Sequence, residues 1–343
     1  MTVTIRDVAN LLGLSITTVS RALDGYPDVA ESTRQRVIQA ANELGYLPNR
    51  TARQLRRQRA DTIGYILPSG VSRFSEPFST EFISGLADEA AQNNFDLLLT
   101  SARAGEEAEK QIYRRWVRAR RVDGFVLNRV RRSDWRIIYL AGEHIAFASF
   151  ERSTDSLDYP SIHVEGFNSV SNLVTHLASQ GYQRIAFIGG PEYLTIHNDR
   201  LEGYRHGLAI NHLVENPAMV HLADLSSAGG YQAAKRMLWL PDPPDAIVCV
   251  NDETAFGALH AAHEAQRIVG VDLAITGFDG VQDAVYALPS LTTLVQPIYN
   301  IARQLMSMVL AEIAGKPMLQ RQVTIEPTLR IRASTTKPRE PSA

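Results

Sequence analysis

From Asp61 onward, short apolar runs alternate with amphipathic segments of helical length, and nothing else in the chain restricts the fold as strongly. The runs are 62–67, 95–100, 123–127, 145–150, 161–164, 184–188, 219–222, 246–250 and 273–277; helical spacing of apolar residues falls over 81–92, 168–179, 200–209 and 254–264. Continuous apolar runs of this length are what strands buried on both faces look like, and their alternation with helices predicts parallel sheets covered on both sides. A chain of 343 residues has room for two such sheets of about six strands each and a small further domain. The expected class is α/β.

The first sixty residues have a different texture. Thr4 can cap a first helix, with Asp7 at the capping-box position, and Ile5, Val8, Ala9 and Leu12 give that helix one apolar face. Gly13 sits where the chain must turn, and a left-handed conformation costs glycine little. Ser15 can cap a second helix that turns Val19, Ala22 and Leu23 inward and leaves Ile16, Thr17, Ser20 and Arg21 outside. A third helix over 29–44 should bury Val37, Ile38, Ala41 and Leu44; its N-cap position is Ala30, so Glu31 or Ser32 must supply the cap. Two helices joined this way match a helix-turn-helix, whose second helix offers its N-terminal side chains to base edges in the major groove.

The stretch A-N-L-L-G-L-S-I-T-T-V-S-R over residues 9–21 resembles the DNA-binding headpiece of the LacI/GalR family of bacterial repressors, which typically reads V-A-x-x-A-G-V-S-x-x-T-V-S-R. Leu12 and Leu14 replace Ala and Val and remain apolar. Next comes G-Y-L-P-N-R-T-A-R-Q-L-R-R-Q-R over residues 45–59, five arginines without a single acid. Such a helix is short and self-repelling in water, but phosphates would neutralise it. The segment resembles the family's hinge helix, which implies that Leu55, with Ala52 beside it, wedges into the minor groove. The DNA-contacting set so implied is Thr4, Ile5, Arg6, Ser15, Ile16, Thr17, Ser20 and Arg21 in the head, and Asn49, Arg50, Ala52, Arg53 and Leu55 in the hinge.

The resemblance also implies that the two sheets form side-by-side subdomains like those of periplasmic sugar-binding proteins, with three chain crossings between them. Placed near Pro160, Pro289–Ser290 and Arg321, the crossings divide the chain into a head (1–47), a hinge (48–60), an N-subdomain (61–160 with 290–320), a C-subdomain (161–289 with 321–336) and a disordered tail (337–343). Family members that tetramerise use a C-terminal leucine heptad, and no leucine follows Ala333 here. The expected assembly is a homodimer.

Charge is divided to suit this plan. The net charge is -2, yet residues 1–60 carry nine arginines against five acids, so the remainder is acidic and only the head is expected to meet phosphate. Cys249 is the only cysteine, which excludes an internal disulfide and fits a reducing cytoplasm; its run A-I-V-C-V reads as a buried strand. No apolar run approaches a membrane span, and no signal-peptide core stands at the N-terminus.

In open α/β sheets, ligands bind at the carboxyl ends of strands. Those ends carry Ser69, the loop aromatics Phe74 and Phe78, Glu151, Arg152, Arg200, Asn251, Asp279 and Gln296. Arg, Asn and Asp around one cleft suit a polyhydroxylated ligand, because each hydroxyl both donates and accepts. They match the family's effector positions. Where the family often has an aromatic after the seventh strand, this chain has Leu225, so ring stacking falls to Phe74, Phe78 or Tyr193. Glu165-Gly166 replaces a common Asp-Asn at a site read as structural.

No phosphate loop, nucleophile elbow or zinc-protease motif is present, and no cofactor is expected. His260 and His263 read as a solvated helix face. The nine arginines between Arg114 and Arg136 read as a solvated surface or subunit contact. The expected function is a cytoplasmic, non-enzymatic, dimeric repressor that binds a near-palindromic operator and is gated by a sugar or glycoside. A purine- or nucleoside-corepressed regulator, and a sugar-binding protein without a DNA role, remain the alternatives.

Overall fold

The computed structural model describes residues 3–46, 59–67, 76–102 and 105–336. The hinge residues Asn49, Arg50, Ala52, Arg53 and Leu55, the loop residues Ser69 and Phe74, and the tail 337–343 lie outside the described residues. Two compact units form, Met1–Ala60 and Asp61–Ala343.

The first unit holds α1 (Ile5–Leu12), α2 (Ile16–Leu23) and α3 (Glu31–Leu44). The Asp7 carboxylate accepts the Thr4 backbone N–H and hydroxyl, both at 2.8 Å, and Gly13 ends α1 at φ 64°. Ser15 Oγ accepts the Thr18 N–H at 3.0 Å and starts α2. Val8, Ala9, Val19, Ala22, Val37, Ala40 and Ala41 form the core, with Ile5, Leu12 and Leu44 against it. Two expectations fail here. Ile38 is exposed and Ala40 takes the inward place, because 37, 40, 41 and 44 follow the helical repeat more closely than a stripe through 38. Ser20 is buried, not outside, with its hydroxyl turned toward Asp24 at 3.4 Å. Ala30 supplies no side-chain cap to α3, and Glu31 instead pairs with Arg34 at 2.7 Å.

The second unit contains two six-stranded sheets. Strands β1 (Thr62–Leu67), β2 (Asp96–Ser101), β3 (Gly124–Leu127), β4 (Ala146–Phe150), β5 (Ser161–Val164) and β11 (Gln322–Ile325) form the first, in the order β11-β5-β4-β3-β1-β2, all parallel. Strands β6 (Ile185–Gly189), β7 (Val220–Leu222), β8 (Ala246–Cys249), β9 (Ala274–Asp279), β10 (Thr292–Val295) and β12 (Thr328–Arg330) form the second, in the order β12-β10-β9-β8-β6-β7, with only β12 antiparallel. Helices cover both faces of each. Those on the first sheet are α4 (Pro77–Gln92), α5 (Glu106–Arg118), α6 (Trp135–Gly142) and α12 (Ile298–Ala314). Those on the second are α7 (Phe167–Ser179), α8 (Thr195–Ile210), α9 (Ser227–Leu238) and α10 (Asp252–Glu264); α11 (Asp283–Tyr286) is a single turn after β9. Helices α9 and α10 approach so closely at Gly257 that a Cβ there would lie 1.9 Å from the Ser227 carbonyl oxygen.

The crossings do not fall at the prolines. Strand β5 belongs to the first sheet, β10 to the second, and β11 again to the first, so the chain changes sheets after Val164, Val295 and Ile325. Pro160 merely precedes a strand that still pairs with β4 and β11. Each sheet takes the chain to the carboxyl end of a strand before releasing it. Accordingly 161–164 and 322–325 join the first subdomain and 292–295 the second, contrary to the division expected from sequence.

Candidate functional site

Because all three crossings leave from strand ends, those ends face a common cleft. The pocket there encloses about 520 Å³ of empty space, mouth included, within the range of small-molecule sites. From the first subdomain come Glu76 and Phe78 at the start of α4, Asn128 and Arg129 after β3, and Phe150 and Glu151 at the end of β4. The second contributes Ile196 and Arg200 of α8, Leu225 after β7, Asn251 and Glu253 at the start of α10, Asp279 and Gln296.

Six expected residues therefore meet: Phe78, Glu151, Arg200, Asn251, Asp279 and Gln296. Two do not. Tyr193 is half exposed and does not line the pocket. Arg152 points away from it, donating to the Gln322 side chain. Strand alternation explains the latter, since neighbouring residues after β4 leave on opposite sides. Phe150, Asn128, Arg129 and Glu76 were missed. The signal for Asn128 and Arg129 was available, because they follow β3 as Asn251 follows β8.

The floor is built by buried polar groups. Arg200 donates to the Val250 carbonyl, and its guanidinium carbon lies 3.5 Å from the Phe278 ring centroid. Burial lowers the Arg200 pKa, with Asp279 opposing the shift. Asp279 ends β9 at φ 129°, accepts the Gln296 amide at 2.7 Å, and has its pKa raised well above the usual carboxylate range by burial, against the pull of Arg200. Asn251 caps α10 through the Thr254 N–H at 3.0 Å and donates to the Leu225 carbonyl at 3.1 Å. Beneath them, Asp252 accepts the N–H groups of Gly280 and Val281 at 2.8 and 2.9 Å and the Thr293 hydroxyl at 2.6 Å, and burial pushes it up to about 6. A Cβ on Gly277 would sit 2.1 Å from that carboxylate, so only glycine fits there. Glu253, half-buried beside Glu76, is pushed up to about 7, first by burial and then by the neighbouring acids.

One wall is aromatic. The Phe78 ring stacks on Phe150 with centroids 6.1 Å apart and 20° between planes, and on Phe82 at 5.8 Å. Leu225 faces them from the other subdomain, buried and at φ 65°.

The loop after β3 is held by an unexpected charge network. Arg136, fully buried, donates to both Asp134 carboxylate oxygens at 2.9 and 2.6 Å and to the carbonyls of Asn128 and Arg129 at 3.1 and 3.0 Å. Arg131 pairs with buried Glu109 at 2.5 Å, and Arg129 with Glu76 at 3.4 Å. Arg129, Arg131 and Arg136 thus leave the solvated surface that the run of nine suggested, because Glu109, Glu76 and Asp134 compensate them. His260 and His263 are exposed on α10. Glu165, as expected of a structural site, caps α7 by accepting the N–H groups of Asn168 and Ser169 at 2.8 and 3.0 Å.

On the head, Thr4, Arg6, Ser15, Ile16, Thr17 and Arg21 are exposed, while Ile5 packs partly into the core. Arg21 pairs with Asp28 at 2.6 Å and lies over Tyr26.

A three-helix head with a solvent-facing second helix, in one chain with a clefted two-sheet core, defines a transcriptional regulator with a periplasmic-binding-protein-like body. Comparison with known proteins agrees. Residues 4–49 match the family model for bacterial regulatory proteins of the lacI family, and residues 174–335 that for a periplasmic binding protein-like domain. The chain is 36% identical over 282 residues to the HTH-type transcriptional regulator AglR of Rhizobium meliloti, covering 82% of this chain and 79% of AglR. It is 31% identical over 345 residues to the transcriptional repressor CytR of Escherichia coli K12, covering 97% and 96% of the two chains. Among solved structures it resembles the lac repressor dimer bound to operator and the anti-inducer ONPF, with 26% identity, TM-score 0.83 and coverage of 98% and 100%. It also resembles a transcriptional regulator CelR–cellobiose complex, with 25% identity, TM-score 0.74 and coverage of 97% and 99%. The chain belongs to the LacI family of DNA-binding transcriptional regulators.

Proposed function

We propose that this regulator binds a near-palindromic operator as a homodimer in the cytoplasm, represses from it, and is gated by a sugar or glycoside held between its two sheets. The observation that carries the ligand reading is the pocket lining. Asn128, Arg200, Asn251, Asp279 and Gln296 present donors and acceptors opposite the stacked Phe78 and Phe150 rings. A pyranose has the matching halves, hydroxyls around its rim and an apolar C–H face. In the head, Ile16, Thr17 and Arg21 read bases, and Thr4 and Arg6 hold phosphate. Asn49, Arg50, Ala52, Arg53 and Leu55 form the hinge contact; this part rests on sequence alone.

A ligand touching both subdomains favours one angle between them. A difference of about 1–3 kcal/mol in its affinity for the two arrangements changes operator affinity by about 5- to 150-fold. The test is a thermal-shift screen of the full chain against carbohydrates and nucleosides, followed by gel-shift with genomic fragments in the presence of each hit. Stabilisation by a sugar that also changes operator retention supports the reading. Stabilisation by nucleosides alone turns it into the nucleoside-responsive alternative.

A further inference from the structure

A second cavity lies beside the pocket. It encloses about 1280 Å³ of empty space and is lined by Thr195, Asn198, Asp199 and Glu202 of α8 and, from the first subdomain, by Arg132, Thr154, Gln322 and Thr324 among others. On α8 the two linings are adjacent stripes. Ile196 and Arg200, four residues apart, face the pocket; residues 195, 198, 199 and 202 follow the neighbouring stripe. Glu151 lines both cavities, so the two spaces meet at its side chain.

We infer that pocket and groove together hold one ligand longer than a single sugar ring, an oligosaccharide or a glycoside with a hydroxylated second unit. The inference rests on reading the pocket as the effector site and adds the size of the ligand to it.

The chemistry of the groove indicates what the second unit is. Its charged groups are largely engaged with one another: Glu151 with His163 at 2.6 Å, Arg152 with Gln322, and Glu202 with Arg205 at 2.9 Å. Asp199 accepts the Gly166 N–H at 2.9 Å. What faces the space is chiefly hydroxyl and amide, from Thr154, Thr195, Asn198, Gln322 and Thr324, with no aromatic ring among the lining residues. An apolar aglycone would find no surface to bury against, and a phosphate would meet the acids of α8. Sugar hydroxyls pair with both donors and acceptors, and the exposed Arg132 guanidinium offers a planar fork to two adjacent ones. Both subdomains contribute, so the second unit also senses the angle between them.

The test is calorimetric titration of the full-length protein with glucose, galactose, maltose, cellobiose, sucrose, lactose and melibiose. At least one disaccharide should bind about tenfold or more tightly than its component monosaccharides. Thr324→Trp places a bulky ring on an exposed edge-strand position, where tryptophan is tolerated. It should erase the disaccharide's advantage and leave monosaccharide affinity unchanged, and Arg132→Ala should lower disaccharide affinity alone. Monosaccharides binding as tightly as every disaccharide, or both variants retaining the full advantage, overturns the inference and leaves the pocket reading intact. If no sugar binds, the pocket reading falls, and this inference with it.

Discussion

The Gln296 amide donates to the Asp279 carboxylate at 2.7 Å, joining the last residue of β9 to the residue that follows β10. Chain leaves the second sheet for the first at this point, so the bond ties the floor of the pocket to a crossing. A ligand that engages Asp279 pulls directly on the connection between the subdomains.

Asp279→Ala should therefore abolish the ligand response while operator binding without ligand stays within about twofold of the parent. Loss of a buried, hydrogen-bonded carboxylate contact corresponds to about 10- to 100-fold in ligand affinity. Paired titrations of operator and ligand check this; a normal ligand response in the variant removes Asp279 from the site.

Exchange of Ile16 and Thr17 should change which operator is preferred more than it changes affinity for bulk DNA. Both are exposed at the start of α2, where Ile16 can meet a thymine methyl. Binding-site selection before and after the exchange measures the shift, and recovery of one and the same sequence refutes it.

Arg136→Met should destabilise the core by about 3–5 kcal/mol, because Asp134 and Glu109 would remain buried without their guanidinium partner. The same change frees the Asn128 and Arg129 carbonyls. Urea unfolding gives the first effect, and a weaker ligand response in the folded fraction gives the second.

Stability should vary with pH through Asp252. Its carboxyl titrates at about 6 in the folded chain against 3.8 as the model value, so the folded state holds the proton more tightly. Folding stability contributed by this group is full below the unfolded pKa, falls as pH rises toward 6, and is level above it. Asp252→Asn keeps an acceptor for Gly280 and Val281 and can donate to Thr293; it should flatten that decline in chemical denaturation between pH 4 and about 7.

Light scattering at micromolar concentration should give a dimer mass, since two heads are needed to read two half-sites. A tetramer mass counts against the reading of the leucine-free tail.

Much of this was legible in the chain because it depends on neighbours in sequence. The Thr4–Asp7 and Ser15–Thr18 caps, the turn at Gly13 and the strand–helix alternation arise within a few residues. Strand ends could be read too, and with them Phe78, Glu151, Arg200, Asn251, Asp279 and Gln296. What the sequence by itself determined is thus a helix-turn-helix head, a two-sheet α/β body and most of one floor of its pocket. Only tertiary structure decided which side chains turn inward. Phe150 joins the pocket because Phe78 and Phe82 stack on it from α4, and Arg136 is buried because Asp134 and Glu109 neutralise it there. Arg152 turns to Gln322, a partner 170 residues away. The crossings likewise follow strand pairing, not proline positions. Such choices depend on the free energy of burying a group against partners far along the chain, and no local pattern carries that information.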